Sequence, residues 1–338
     1  MQQTTFGRTG LTVGRTGFGC IPIQRIPYEE SAALLQRAYE NGVTLYDTAN
    51  LYGTSEERLG IALHHVRDKI VLCTKSLPLS PDKIMANIEN SLRMLQTDYL
   101  DVFQFHNPSV VPRPGAEDGL YDCALKAKEQ GKIRHIGISE HSKDRAREAV
   151  LSGLYDTLQY PLSYLSTEDE LSLIDLCRQH NVGLLAMKGL CGGLLTNAKA
   201  AFAFLRQYDN VIPIWGMQKM SELNEFLLYE NEPPLLDDIL RGSIEADRAE
   251  LSGSFCRSCG YCLPCPANIP IPNAARIIFL VQRSSKEYWL SPEWQKNMRL
   301  IDGCTNCGHC KQHCPYGLDT PALLKSQQEE YFKLVAAG

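Results

Sequence analysis

No stretch of the chain approaches the roughly 20 consecutive apolar residues that a membrane-spanning helix needs. The N-terminus lacks a basic start followed by an apolar run, so no secretory signal is expected. Charge of neither sign is in large excess. A net charge of −5 over 338 residues leaves no basic footprint for nucleic acid or another polyanion. No Gly-x-Gly-x-x-Gly follows an apolar run, so an open dinucleotide-binding sheet is without its fingerprint. These absences lead us to expect a soluble, cytoplasmic protein with neither nucleic-acid nor membrane partners.

Cysteine, by contrast, is abundant, with 13 in the chain. Cys20, Cys73, Cys123, Cys177 and Cys191 are scattered through the first 200 residues, and the other eight fall within 256–265 and 304–314. Without a secretion signal, such density points to metal rather than to disulfides.

Along the chain, residues 4–13 alternate around Gly7 and Gly10 as a short hairpin would. Eight short apolar runs follow, at 17–23, 43–47, 70–75, 99–106, 133–139, 155–160, 182–187 and 211–217. Helical patterns separate them. One carries Ile84, Ile88, Leu92 and Leu95 on a single stripe and opens after Ser80-Pro81-Asp82. Nearly continuous apolar strands alternating with helices predict a parallel sheet covered on its outer face. Eight units in this length fit an α/β fold of the (β/α)8 TIM-barrel type better than an open sheet, although counting does not prove closure. We therefore expect a barrel over 1–230, a linker or docking helix over 231–255, and a small ferredoxin-like domain of helices and loops over 256–338.

That last segment reads Cys256-x2-Cys259-x2-Cys262-x2-Cys265-Pro266 and Cys304-x2-Cys307-x2-Cys310-x3-Cys314-Pro315. The second run is the bacterial ferredoxin pattern, and the first is one residue shorter before its last cysteine. In such pairs the fourth cysteine serves the other cluster. The expected ligand sets for two [4Fe–4S] clusters are then Cys256, Cys259, Cys262 and Cys314, and Cys304, Cys307, Cys310 and Cys265. Gly260, Gly303 and Gly308 are candidates for tight turns around the cofactor. The alternative is a pair of Zn(Cys)4 sites, which ordinarily use two separated Cys-x2-Cys pairs. Residues 256–338 hold nine Lys/Arg against six Asp/Glu, a surplus that would partly offset anionic clusters.

In a barrel of this type the chemistry sits at the C-terminal ends of the strands. Those ends carry Asp47, Lys75 and His106, with Tyr52 in the loop after Asp47. A carbonyl that accepts hydride needs a proton for its developing alkoxide. Tyr52 could give it, with Lys75 lowering the phenol pKa, Asp47 holding Lys75 and His106 orienting the carbonyl. Each residue alone is more simply a surface tyrosine, a solvated ion pair or a turn cap; it is the combination that points to catalysis.

The motifs Tyr46-Asp47-Thr48-Ala49-x2-Tyr52-Gly53, Cys73-Thr74-Lys75-Ser76 and Phe103-Gln104-x-His106 resemble those of the aldo/keto reductases. Gly137-Ile138-Ser139, Gln159 and Ile214-Trp215-Gly216 extend the resemblance over 1–230. The full chain resembles a subgroup with a C-terminal two-cluster ferredoxin segment, of which Cys259-Gly260-Tyr261-Cys262-x-Pro264-Cys265-Pro266 is characteristic. The resemblance implies NADP(H) or NAD(H) across the barrel mouth. Ser139 and Gln159 would hold the nicotinamide amide, with Asp47 beside the ribose. Met187, followed by Lys188, stands where many members stack an aromatic ring. Gly216, Gln218, Lys219 and Glu222 would hold the adenine-side phosphates. Glu140, Ser163 and Phe226 stand where the family pattern has asparagine.

Three functions remain open at this stage. One is an NAD(P)H-dependent oxidoreductase reducing a small-molecule carbonyl (aldehyde, ketone or sugar), with Tyr52 as proton donor. Another is an electron-transfer oxidoreductase whose clusters exchange electrons with a flavin such as FMN or a substrate in the barrel, served by a ferredoxin or flavodoxin partner. The third is a redox-sensing or interaction protein with a non-catalytic barrel.

Overall fold

The computed structural model describes residues 1–251 and 255–337. They fall into two compact units: residues 1–189 with 199–240, and residues 190–198 with 241–338. Among the described residues no helix is long and apolar enough to cross a membrane.

The first unit opens with an antiparallel hairpin, β1 (Gln3–Thr5) and β2 (Thr12–Gly14). Eight parallel strands then close a barrel: β3 (Gly17–Gly19), β4 (Leu45–Asp47), β5 (Val71–Ser76), β6 (Leu100–His106), β7 (Ile133–Ser139), β8 (Thr157–Pro161), β9 (Gly183–Met187) and β10 (Val211–Gly216). Neighbours pair in chain order and β10 pairs β3, so closure is complete. Strand β3 stops at Gly19, short of the expected run, because Pro22–Arg25 turns into a 3-10 helix with proline at its first position.

Eight helices cover the barrel: α1 (Tyr28–Glu40), α2 (Ser55–Leu63), α3 (Pro81–Leu95), α4 (Leu120–Glu129), α5 (Lys143–Leu151), α6 (Glu168–Gln179), α7 (Ala198–Arg206) and α8 (Met220–Asn231). In α3 the Ser80 side chain accepts the Lys83 N–H and Pro81 opens the first turn; Ile84, Ile88 and Leu95 are buried. Helix α6 starts on a capping box between Thr167 and Glu170.

The hairpin seals one end of the barrel. Phe6 is fully buried, and Arg8 donates to the carbonyls of Gly153 and His180. Gly7 has φ +53°, and a Cβ there would lie 2.2 Å from the Gly183 nitrogen at the start of β9, so no side chain fits. That end is the N-terminal one, which leaves the C-terminal strand ends for ligands.

The second unit takes α9 (Asp238–Glu250) from Arg241 onward and contains α10 (Ile271–Ala274), α11 (Ile277–Arg283), α12 (Lys286–Trp289), α13 (Pro292–Arg299), α14 (His309–Gln312) and α15 (Thr320–Ala337). Its core gathers Ile269, Ile271, Ile277, Trp294, Met298 and Tyr331 around the buried Cys256 and Cys262. The tight turns are not all where expected. Gly260 and Gly308 have φ of +86° and +76°, but Gly303 does not need a positive φ. Ser258 and Asn306 take the left-handed turns instead. Asparagine enters this region more readily than most residues because its short polar side chain can hydrogen-bond locally.

Candidate active site and candidate cluster cavities

Asp47 ends β4, Lys75 is the penultimate residue of β5, and His106 and Ser139 end β6 and β7. Parallel register aligns Lys75 with Gln104 and His106 with Ser139. Every second residue of a strand points the same way, so Gln104 and His106 share a face.

The centre is a buried ion pair. Lys75 Nζ donates to both Asp47 oxygens at 2.7 Å and to the Thr48 carbonyl at 2.7 Å. Gln104 Nε2 donates to Asp47 Oδ1 at 3.2 Å, and Gln159 Nε2 to Asp47 Oδ2 at 3.3 Å. Burial pushes the Asp47 carboxyl up, while the Lys75 charge and the hydrogen bonds from Lys75, Gln159 and Gln104 oppose it. Burial works against the Lys75 ammonium, but the charges of Asp47 and Tyr52 carry it above the ordinary lysine value. Lys75 therefore stays a cation in spite of being buried.

Tyr52 is half-buried in the loop between β4 and α2. A backbone hydrogen bond from Asn50 N to Lys75 O ties that loop to β5, and one from Tyr52 N to Ala49 O closes a turn within it, both at 2.9 Å. Lys75 Nζ lies 5.4 Å from the Tyr52 ring centroid, and the His106 ring meets Tyr52 edge-on at 5.9 Å. The four expected catalytic residues are thus gathered in one place. One expectation needs correction: the Tyr52 pKa is not lowered overall. Burial raises it above 10, and Lys75 offsets only part of that rise. His106 is driven down to about 3, first by burial and then by Lys75, so its ring is neutral.

Among the expected nucleotide contacts, Ser139 Oγ is buried and has no hydrogen-bond partner among the described residues. An orphaned hydroxyl at a strand end suits a polar ligand group such as a carboxamide. Gln159 is already engaged, since it accepts from Gln104 at 3.0 Å and donates to Asp47 and the Met187 sulfur. Lys188 follows Met187 with φ +59°. Gly216, Gln218, Lys219 and Glu222 form a separate group. The Glu222 carboxylate accepts the backbone N–H of Gln218 at 2.8 Å and of Lys219 at 3.1 Å, capping α8.

Glu140 is fully buried and accepts from Arg145 Nε at 3.2 Å to each oxygen. Burial raises its pKa to about 7, against the pull of Arg145. Trp215 and Phe226 stack at 4.5 Å within the core. Gln104 and His141 were not singled out from the sequence. Gln104 was legible in Phe-Gln-x-His, two residues before His106. His141 is buried near Lys188, His106 and Arg145, and its pKa is well below the usual value, mainly through burial; no pattern announced it.

In the second unit the eight clustered cysteines line two cavities. One has Cys265, Cys304, Cys307 and Cys310 in its wall. The other has Cys256, Cys259, Cys262 and Cys314. Cys262 and Cys310 border both. No three His, Cys, Asp or Glu side chains among the described residues are grouped so as to hold a single ion. Burial, reinforced by Cys256 and Cys259, pushes the Cys262 thiol up to about 12. Four such thiols can ionise together only around a cationic core, which an iron–sulfur cube supplies. The donor set therefore fits the cluster.

A parallel barrel closed by eight strands thus carries a Lys–Asp pair, a tyrosine and a neutral histidine at its C-terminal end. The aldo/keto reductase family pattern matches residues 11–203, and the chain belongs to that family. A 4Fe-4S dicluster domain pattern matches residues 255–319, so the chain also carries a ferredoxin-like C-terminal domain. The Bacillus subtilis aldo-keto reductase YhdN is 31% identical over 219 residues, covering 58% of this chain and 64% of that protein. The chain thus spans less than two thirds of the length of that relative. The oxidoreductase YrpG of the same organism, itself uncharacterized, is 29% identical over 58% of this chain and 68% of its own. In fold, an aldo-keto reductase from Klebsiella pneumoniae in complex with NADPH superposes with a TM-score of 0.63 at 23% identity, covering 73% of this chain and 95% of that one.

Proposed function

We propose that the barrel reduces the carbonyl group of a small aldehyde, ketone or sugar by using NADPH, with Tyr52 as proton donor. The observation that carries this reading is the grouping of Asp47, Lys75, Tyr52 and His106 at adjacent strand ends. The NADPH complex of the Klebsiella neighbour and the unpartnered Ser139 hydroxyl support the choice of cofactor. When bound, NADPH supplies a hydride, that is, two electrons. The chain does the rest. Tyr52 holds its proton at neutral pH and releases it to the carbonyl oxygen as negative charge builds there. Lys75, fixed by Asp47, favours the phenolate left behind. His106 stays neutral and orients the carbonyl without competing for the proton.

The C-terminal domain, in this reading, holds two [4Fe–4S] clusters, one on Cys256, Cys259, Cys262 and Cys314 and one on Cys304, Cys307, Cys310 and Cys265. The two cysteine-lined cavities support this crosswise assignment, since Cys265 lines only the one with Cys304 and Cys307, and Cys314 only the one with Cys256 and Cys259. The test of the barrel reading is Tyr52→Phe in the cluster-loaded protein, assayed with NADPH and an aromatic aldehyde. Turnover should collapse while NADPH still quenches protein fluorescence. Unchanged turnover would reject Tyr52 as the donor.

A further inference from the structure

Arg276 is a cation inside the cluster-bearing unit that makes no ion pair with a carboxylate among the described residues. It lies between α10 and α11 and is only 4% exposed. Its donors all reach backbone carbonyls: Nε to Pro272, Nη1 to Cys191 and Nη2 to Gly192, each at 3.1 Å. Carbonyl dipoles orient a guanidinium but do not cancel its charge, and a buried uncompensated charge is costly. Arg283, on the same helical segment, is satisfied in the ordinary way by Asp247 and Glu250. Ala275, next to Arg276, lines the cavity of Cys256, Cys259, Cys262 and Cys314, as does Ile271. Burial draws the Arg276 pKa down, and the groups that oppose burial are Cys256 and then Cys191. With Ala275 in the wall of that cavity, the anionic cluster expected there is the counter-charge that the position of Arg276 offers.

We propose that Arg276 is the fixed counter-cation of the cluster in the Cys256–Cys259–Cys262–Cys314 cavity and holds it at a higher reduction potential than its neighbour. This rests on the two-cluster reading above. One electron from an external donor adds to the cluster; no bond forms or breaks and no proton is taken up. The core with its four thiolates goes from about −2 to about −3, so a nearby cation favours the reduced state. Burial acts the other way. Cys256 and Cys262 are buried while Cys307 of the other cavity is exposed, so without Arg276 the inner cluster would be the harder one to reduce. Arg257 also lines the inner cavity, but it is half-buried over the rings of Phe255 and Tyr316, where water screens it. Lys311, beside the other run, is exposed and paired with Asp319 at 3.0 Å.

The test is an anaerobic dithionite titration of the full-length, reconstituted protein, followed by EPR, with iron and sulfide counted on every sample. Arg276→Gln keeps donors for the carbonyls and removes the charge, whereas Arg276→Lys keeps the charge. The wild type should show two one-electron waves. In Arg276→Gln the higher wave should fall by at least tenfold in reduction equilibrium, about 59 mV, with the lower wave unmoved. Arg276→Lys should stay near the wild type, and Arg257→Gln should shift less than Arg276→Gln. Loss of half the iron in Arg276→Gln but not in Arg276→Lys would also support a charge requirement. With iron intact, unmoved waves in Arg276→Gln, a shift in both waves alike, or a larger shift from Arg257→Gln would overturn the proposal. So would loss of half the iron in both Arg276 variants, which would make the residue a scaffold clamp. A wild type that holds fewer than two clusters would defeat the cluster reading itself, and this would be visible before any variant is titrated.

Discussion

Lys75 Nζ touches both carboxylate oxygens of Asp47 at 2.7 Å, deep in the barrel, and the two residues come from adjacent strands 28 positions apart. Burial makes this pair sensitive to loss of either member. Lys75→Met leaves the Asp47 charge buried and unpaired and should destabilise the barrel by roughly 3–5 kcal/mol. The double variant Asp47→Asn/Lys75→Met should recover much of that loss. Thermal unfolding of the three proteins checks it, and a double variant no more stable than Lys75→Met would contradict it.

Tyr52→Phe removes one hydroxyl from a half-buried ring and should leave stability within about 1 kcal/mol of the wild type. Turnover should fall by roughly 10²–10⁴, the usual contribution of a positioned general acid. Parallel measurement of kcat and unfolding temperature separates loss of chemistry from loss of fold.

The pH profile follows from two neighbours. His106 is neutral down to about pH 3, so it should contribute no change in kcat between pH 5 and 8. Burial raises the Tyr52 pKa above its ordinary value of 10, which puts any loss from phenol ionisation on the alkaline side. A kcat profile with a limb near pH 6.5 that disappears in His106→Asn would contradict this assignment.

Glu140 gives a stability signature of the opposite sense to a paired surface carboxylate. Its folded pKa of about 7 is above the unfolded value of 4.5, so the folded state binds the extra proton between them. Stability should therefore fall as pH rises from about 4.5 through 7, by on the order of 3 kcal/mol. Glu140→Gln cannot ionise and should lack that decline. Identical pH dependence of unfolding in the two proteins would refute it.

Much of this was legible in the chain. Eight apolar runs became eight strands, and the motifs around Asp47, Tyr52, Lys75 and His106 named the residues that the barrel brings together. Strand β3 was read too long because an apolar run does not reveal where Pro22 turns it into a 3-10 helix. The sign of the Tyr52 shift was misread because sequence supplies the neighbouring lysine but not the depth of burial that outweighs it. Gln104 was passed over although its motif contains it, since only closure of the barrel brings it to Asp47 and Gln159. Arg276 was invisible for the same reason: its carbonyl acceptors at Cys191 and Gly192 lie some 85 residues away.

The most direct test of the account is anaerobic stopped-flow mixing of the cluster-loaded protein with NADPH, first alone and then with an aromatic aldehyde. The account predicts that NADPH is consumed only when aldehyde is present, one molecule per alcohol formed, with the cluster absorbance unchanged throughout. Bleaching of the clusters by NADPH without aldehyde, or no NADPH oxidation with any carbonyl in a protein carrying both clusters, would contradict it.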